Sequence, residues 1–205
     1  MNRDATPDYP IHELFIRRHS PYAFDPVKTV AVETVNALFE AARWTMSSYN
    51  AQPWRYIVGI RDVGIGDVGT RNGRTGDDGS TTWQKILDCL LEGNQPWAQN
   101  APVLTLGLTK TTFDHNGKPN RAAEHDLGAA SAFLTLEAVS RGLCVHQMIG
   151  IDPDKVIKTF APAAGIIPLT GLAIGYRGTP EHIPQAYAER DQKPRMRLAR
   201  SDILL

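Results

Sequence analysis

Cysteine is nearly absent: a chain of 205 residues carries two, Cys89 and Cys144, each inside an apolar stretch (KILDCLLEG and GLCVHQM). That excludes a disulfide framework and predicts two buried, reduced thiols. Excess charge of either sign is missing too. Twenty-two basic residues balance twenty-two acidic ones, so no global field gathers nucleic acid or an anionic membrane, and any anion binding has to be local. No apolar run approaches the roughly eighteen residues that span a bilayer. The opening MNRDATPDYPIHELF lacks the charged start, apolar middle and small-residue cleavage site of an export signal. The expectation is a cytoplasmic protein with neither a membrane nor a nucleic-acid partner.

Metal and nucleophile signatures are also lacking. Six histidines show no H-x-x-x-H spacing and the cysteines no C-x-x-C, so no metal is expected. The absence of a G-x-S-x-G elbow argues against a serine hydrolase. Gly64, Gly66 and Gly69 do match the G-x-G-x-x-G dinucleotide spacing after the strand candidate WRYIVGI, but they open TRNGRTGDDGS. That segment cannot form the helix whose N-terminus would hold a pyrophosphate, and the match is a decoy.

What is present suits one domain over residues 1–205, with 42% hydrophobic content supporting a sizeable core. A short helix is expected over 10–20, stopped by Pro21. A second is expected from about Thr29, its proposed N-cap, with Val32, Val35, Leu38, Phe39 and Ala42 on one face. A third through TTWQKILDCLLEG should end near Gly93. The proline-free run RAAEHDLGAASAFLTLEAVSRGL reads as a central helix buried on several sides, and DPDKVIKTFA as a short helix started by Asp152. Strand candidates are WRYIVGI, APVLTLGLT, GLCVHQMIG and LTGLAIGY. The glycine-rich stretch 61–82 is expected to be a flexible excursion. The basic, proline-containing tail 178–205 cannot bury much alone and is expected to pack on a partner subunit. Helices and strands do not alternate as βαβ units, so the fold class is α+β, with a central mixed or antiparallel sheet flanked by helices.

Three separated segments combine phosphate-type and amide-type ligands: Arg17-Arg18-His19-Ser20, Ser47 to Trp54 (SSYNAQPW), and Lys193-Pro194-Arg195. Arginine and lysine suit a phosphate, while serine, asparagine and glutamine suit a ribityl chain and a flavin edge. Each segment has a plainer explanation. Arg17 and Arg18 also complement a helix C-terminus, Ser47 to Trp54 is also a polar helix-to-strand connection, and Lys193 with Arg195 also reads as a solvated tail.

Taken in order and spacing, FIRRHSPYAFDP, EAARWTMSSYNAQPWRYIVG, LEGNQPWAQNAPVL and HQMIGID resemble the nitroreductase family, from about Leu14 to Arg197. The resemblance implies a nitroreductase-like fold in an intertwined homodimer that binds FMN and takes NADH or NADPH as co-substrate. By the same resemblance, Arg18, His19 and Ser20, with Arg17 helping, would hold the phosphate and ribityl. Ser47, Ser48 and Asn50, with Gln52 beside them, would reach the FMN of the partner subunit. Asn94 would stand near the ring, Ile149 and Gly150 against it, and Lys193 and Arg195 would complete the phosphate clamp. Tyr22, also among the residues the resemblance places at the cofactor, stands where several members carry lysine or arginine and would offer the pyrimidine edge a hydroxyl but no charge; Met46 replaces a common proline, and Trp97 replaces a lysine of some members. The implied activity is a ping-pong transfer of reducing equivalents from NAD(P)H to a small electron-poor acceptor: a nitroaromatic, quinone or enone. No catalytic side chain is expected, because the flavin carries the chemistry. The same fold is also compatible with dehalogenation or dehydrogenation, or with flavin binding without turnover, and Trp97 and the 61–82 stretch are where a different specificity would arise.

Overall fold

The structure is a computed structural model that describes residues 4–61 and 81–204. Residues 62–80, which hold nearly all of the expected excursion and the G-x-G-x-x-G decoy, lie outside the described residues.

Alternation along one strand sets the layers. In Val103–Lys110, Leu104, Leu106 and Leu108 enter one apolar cluster, while Val103 enters another on the opposite face, as a two-residue side-chain period requires. In chain order the strands are β1 (Trp54–Ile60), β2 (Val103–Lys110), β3 (Cys144–Met148) and β4 (Ile166–Gly175). They lie β1-β2-β4-β3 with every pairing antiparallel. The sheet is therefore antiparallel, one of the two forms expected, and the α+β class holds.

One face is covered by α3 (Thr82–Asp88), α4 (Gln95–Ala98) and α6 (Pro153–Phe160), with Ile86, Trp97 and Val156 buried against Leu104, Leu106 and Leu108. The other face carries α2 (Val32–Arg43) and α5 (Ala123–Ser140), which bring Val35, Leu38, Leu127, Ala130 and Leu134 over Val103, Leu172 and Ile174. Each fully buried leucine contributes about 1.5–3 kcal/mol, so this two-sided burial is the main stabilising term. The small residues of α5 permit close packing on both sheet and α2, as the sequence implied. Both thiols are free. Cys89 is buried, Cys144 is half-buried, and burial pushes the Cys144 thiol up to about 11, which leaves it protonated and unreactive near neutrality.

Two helix limits differ from expectation for identifiable reasons. The α2 helix begins at Val32 with Ala31 as its cap, not at Thr29. Asp25 closes a local turn by accepting the amide hydrogens of Val27 and Lys28 (3.0 and 3.1 Å), and Val30 is buried in the segment that follows. The α3 helix ends at Asp88, short of Gly93. Residues 89–91 leave it to pair with 150–152, through Leu91 N to Gly150 O (3.0 Å), Asp152 N to Cys89 O (2.8 Å) and a bridge between Leu90 and Ile151. Two backbone bonds and a buried Leu90 replace another helical turn. The first helix, α1 (Glu13–Arg17), is shorter than 10–20, whereas α6 starts where expected, with Asp152 accepting from Lys155 N at 3.0 Å.

Gly59 lies where β1 meets α3, and a Cβ built there falls 2.4 Å from the backbone of Trp83. Gly59→Ala is expected to cost about 1–3 kcal/mol by overpacking, read as a lower urea midpoint at unchanged slope.

Candidate functional site

The two ends of the chain are tied together by one carboxylate. Asp191, on α7 (Gln185–Gln192), accepts the amide hydrogens of Tyr22 (3.0 Å) and Ala23 (2.9 Å). Arg195 donates to the carbonyl of Ile16 at 2.7 Å. Tyr187 donates its hydroxyl to Gly93 O, and Asn100 donates to His182 O at 2.7 Å. The tail through Arg195 is thus ordered against its own chain. Beyond it, Met196, Leu198, Ile203 and Leu204 are exposed.

This docking encloses a cavity of about 270 Å3 lined by Arg18, His19, Ser20, Arg190, Lys193, Pro194, Arg195, Met196 and Arg197. Five of these side chains carry permanent positive charge and none is a carboxylate. Arg18 leaves α1 with extended backbone, and its guanidinium donates to Ser20 Oγ at 3.3 Å. Burial, and then the neighbouring charge of Arg197, pull Arg18 below the ordinary arginine value. Like charges gathered in a partly dry concavity are unfavourable unless an anion joins them, and this donor set fits a phosphate monoester. Arg17 lies outside the cavity, in an exposed ion pair with Glu13 at 3.4 Å.

A second cavity, of about 400 Å3, shares Arg18 and Ser20 with the first and is otherwise walled by Phe15, Ala132, Thr135, Leu136, Val145 and Gln147. It runs between α5 and the edge strand β3. Gln147 is held by donating to Ser131 O (3.1 Å) and Thr135 Oγ1 (2.9 Å). Two residues beyond it, Ile149 is 77% exposed. The cation cluster therefore opens onto an apolar slot whose edge strand leads to Ile149 and Gly150, an arrangement that suits a molecule with a phosphate at one end and a flat apolar body at the other.

Asn94 and Gly150 are brought together. Asn94 Nδ2 donates to Gly150 O at 2.9 Å, and Leu91 N donates to the same carbonyl. A Cβ on Gly150 would sit 2.3 Å from Asn94 Nδ2, so only glycine permits this approach. The Ser47 to Gln52 loop is a separate station. Its Ser48 amide donates to the buried Asp126 (3.1 Å), Gln52 N donates to Ser47 Oγ (3.0 Å), and Gln52 Nε2 donates to Asn50 Oδ1 (3.1 Å). Asp126 lies six to ten positions before Ala132 to Leu136 on α5, roughly 9–15 Å along a helix, so the loop is held well away from the slot of its own subunit.

Trp97 belongs to the interior, and the half-buried Tyr22 packs against it. Trp97 is fully buried, and its rings lie 4.5 Å from His146 and 5.2 Å from Tyr22. Tyr22 also contacts Tyr187 at 5.2 Å. Burial pushes the His146 imidazole down, so it is neutral near pH 7. Trp97 fills the core and does not meet solvent, which removes it as a direct contact for an acceptor.

The sequence reading missed Arg190, Arg197, Gln147, Asp126 and Asp191. Arg190 was legible as a third cation near Lys193. The roles of the others rest on contacts across long stretches of chain, which no local pattern carries.

Comparison with known proteins is consistent with this geometry. A family model described as the nitroreductase family matches residues 16–176. An uncharacterised 15.4 kDa protein in the ask 5′ region of Mycolicibacterium smegmatis is 39% identical over 132 residues, 64% of this chain and 88% of that protein. The major NAD(P)H-flavin oxidoreductase of Aliivibrio fischeri is 44% identical over a shorter stretch of 48 residues, 23% of this chain and 22% of that protein. A crystal structure described as an oxidoreductase containing FMN superposes with a TM-score of 0.85 at 31% identity, covering 100% of this chain and 95% of that one.

Removing the Asp191 carboxylate leaves the Tyr22 and Ala23 amides without their acceptor. Asp191→Ala is expected to destabilise by about 1–3 kcal/mol and to expose the 178–205 tail, read as a lower melting temperature with faster tryptic cleavage after Arg190 and Arg195.

Proposed function

The chain belongs to the nitroreductase family, and from that membership we propose that it is an FMN-dependent oxidoreductase, acting as a homodimer, that moves reducing equivalents from NADH or NADPH to a small electron-poor acceptor such as a nitroaromatic, quinone or enone. The observation that carries this reading is the cation cluster, drawn from both ends of the chain, opening onto an apolar slot along the edge strand.

When bound, FMN would supply the redox chemistry, hydride acceptance from the nicotinamide and delivery of reducing equivalents to the acceptor. The chain's part is to hold and orient. Arg18, Lys193 and Arg195, joined by Arg190 and Arg197, would clamp the phosphate. His19, Ser20 and Gln147 line the route from the phosphate to the slot and offer hydrogen bonds to a polyol. Asn94 fixes the carbonyl of Gly150, and so sets the backbone orientation where Ile149 and Gly150 would face the ring. Backbone N–H donors and nearby cations are the groups that stabilise negative charge developing in a poorly solvated cleft.

The homodimer is supported by two kinds of feature. Apolar side chains stand exposed on α1, on the α5 surface, near Ser47 and along the final residues, Phe15, Phe133, Trp44, Met46, Leu198 and Ile203 among them, and a partner subunit would cover such surface. The Ser47, Ser48, Asn50 and Gln52 loop is also distant from its own slot, and a twofold axis would let it complete the slot of the partner while the last residues of the tail pack across.

Purified protein is expected to be yellow, to elute as a dimer, and to lose its flavin absorbance when NADH or NADPH is added without oxygen, with absorbance restored by menadione or nitrofurazone. Bound FMN that neither nucleotide bleaches would refute the oxidoreductase reading. Arg18→Ala and Lys193→Ala should each weaken FMN binding about tenfold or more, the usual effect of losing a charge-assisted hydrogen bond.

A further inference from the structure

Tyr49, Asn50 and Gln52 all have left-handed backbone, with φ of 52°, 53° and 45°. For a bulky residue such as Tyr49 this conformation is strained, and it persists only where the surroundings over-determine it. Here the surroundings are the Ser48 bond to buried Asp126 and the Ser47, Asn50 and Gln52 bonds described above. The strained turn delivers one side chain outward: the Tyr49 ring is 85% exposed. It is nevertheless placed against two other rings. Phe113 is 5.8 Å away at an interplanar angle of 85°, and His115 is 6.3 Å away at 47°. Phe113 and His115 are themselves 5.3 Å apart at 45°. Both come from a hairpin closed by Phe113 N to Lys118 O and Gly117 N to Phe113 O (both 2.9 Å), with a bridge between Thr112 and Pro119.

We propose that Tyr49, Phe113 and His115 form an aromatic shelf that receives the flat ring of the electron-poor acceptor, with Tyr49 the specificity-determining residue. The inference rests on the function proposed above, in which the Ser47 to Gln52 loop completes the slot of the partner subunit. A phenol carries an electron-rich face, and an electron-depleted nitroaromatic or quinone ring is its complement in offset stacking. The tilted neighbours add edges that meet the rim of the same guest. The carboxylate beside the shelf does not oppose this. Asp114 is paired with Lys110, and its carboxyl is held below the ordinary value first by that lysine, with Arg55 and His115 acting in the same direction, so the negative oxygens of an acceptor meet a compensated charge.

The test compares Tyr49→Leu, which keeps apolar bulk without a π face, with Tyr49→Phe, which keeps the face, both in the flavin-loaded protein. The ratio of kcat/KM for menadione to kcat/KM for ferricyanide, which has no ring to stack, is expected to fall about three- to tenfold in Tyr49→Leu, the range of one aromatic pair, and to stay within twofold of wild type in Tyr49→Phe. A readout independent of turnover is the His115 ring proton resonance, assigned by its loss in His115→Gln. Adding 2-naphthoate should move it upfield in wild type and Tyr49→Phe, and not in Tyr49→Leu. An unchanged ratio in a Tyr49→Leu enzyme that still turns over would overturn the shelf and leave the oxidoreductase reading standing. Dissociation of the Tyr49→Leu dimer with no naphthoate shift in wild type would also overturn it, making Tyr49 an interface residue only. A wild-type protein whose flavin NAD(P)H cannot bleach would instead sink the underlying function.

Discussion

The contact on which the site depends is the acceptance of the Tyr22 and Ala23 amide hydrogens by the Asp191 carboxylate. It joins residues about 170 positions apart, and the ordering entropy of that closure is met by the core that brings α7 down beside the sheet, with Ala188 and Ile183 buried in the same cluster as Trp97 and Leu104. Everything cationic follows from it. Arg18 comes from the segment after α1, and Arg190, Lys193, Arg195 and Arg197 from the tail. Separately these are surface charges of little energetic consequence; around one cavity the charge of Arg197 pulls Arg18 below the ordinary arginine value, and the donor set suits an anion. The protein holds this arrangement with a half-buried acidic anchor, the Asp191 carboxylate, which accepts the backbone amide hydrogens of Tyr22 and Ala23.

The same economy of parts recurs on the other side of the sheet. Asp126, buried on α5, accepts from Ser48 and stands close to His125 (3.1 Å), which fixes the loop carrying Ser47, Asn50 and Gln52 in a backbone conformation those residues would not choose. At the far edge, Asn94 and Gly150 meet because α3 gives up its last turn to pair residues 89–91 with 150–152. Three stations are therefore set by three long-range polar contacts, and the antiparallel sheet fixes the distances between them.

Much of this was legible in the sequence, and the parts that were not share a cause. WRYIVGI is β1 to the residue because β-branched and aromatic content and flanking turn signals are local facts, and Asp152 caps α6 because a cap needs only its own first turn. Thr29 fails as a cap because Asp25 has already closed the preceding turn, and α3 stops early because the distant segment 150–152 pairs with residues 89–91 in place of another helical turn. Arg18, Lys193 and Arg195 could be singled out by residue type, but not their convergence with Arg197, nor the anchoring by Asp191. Trp97 stood out as a departure from related chains near the flavin, whereas its burial against His146 and Tyr22 makes it a core residue. Side-chain identity announces a chemistry; only the folded contacts decide which groups face it.

The central claim is that the two chain ends are joined to hold a phosphate, and the most direct test is calorimetric titration of flavin-free protein with FMN and with riboflavin at two salt concentrations. FMN is expected to bind at least a hundredfold more tightly than riboflavin, in line with about 3 kcal/mol from charge-assisted contacts, with a gap that narrows as salt rises and narrows further in Arg197→Gln. Equal affinities for the two ligands, insensitive to salt, would contradict it.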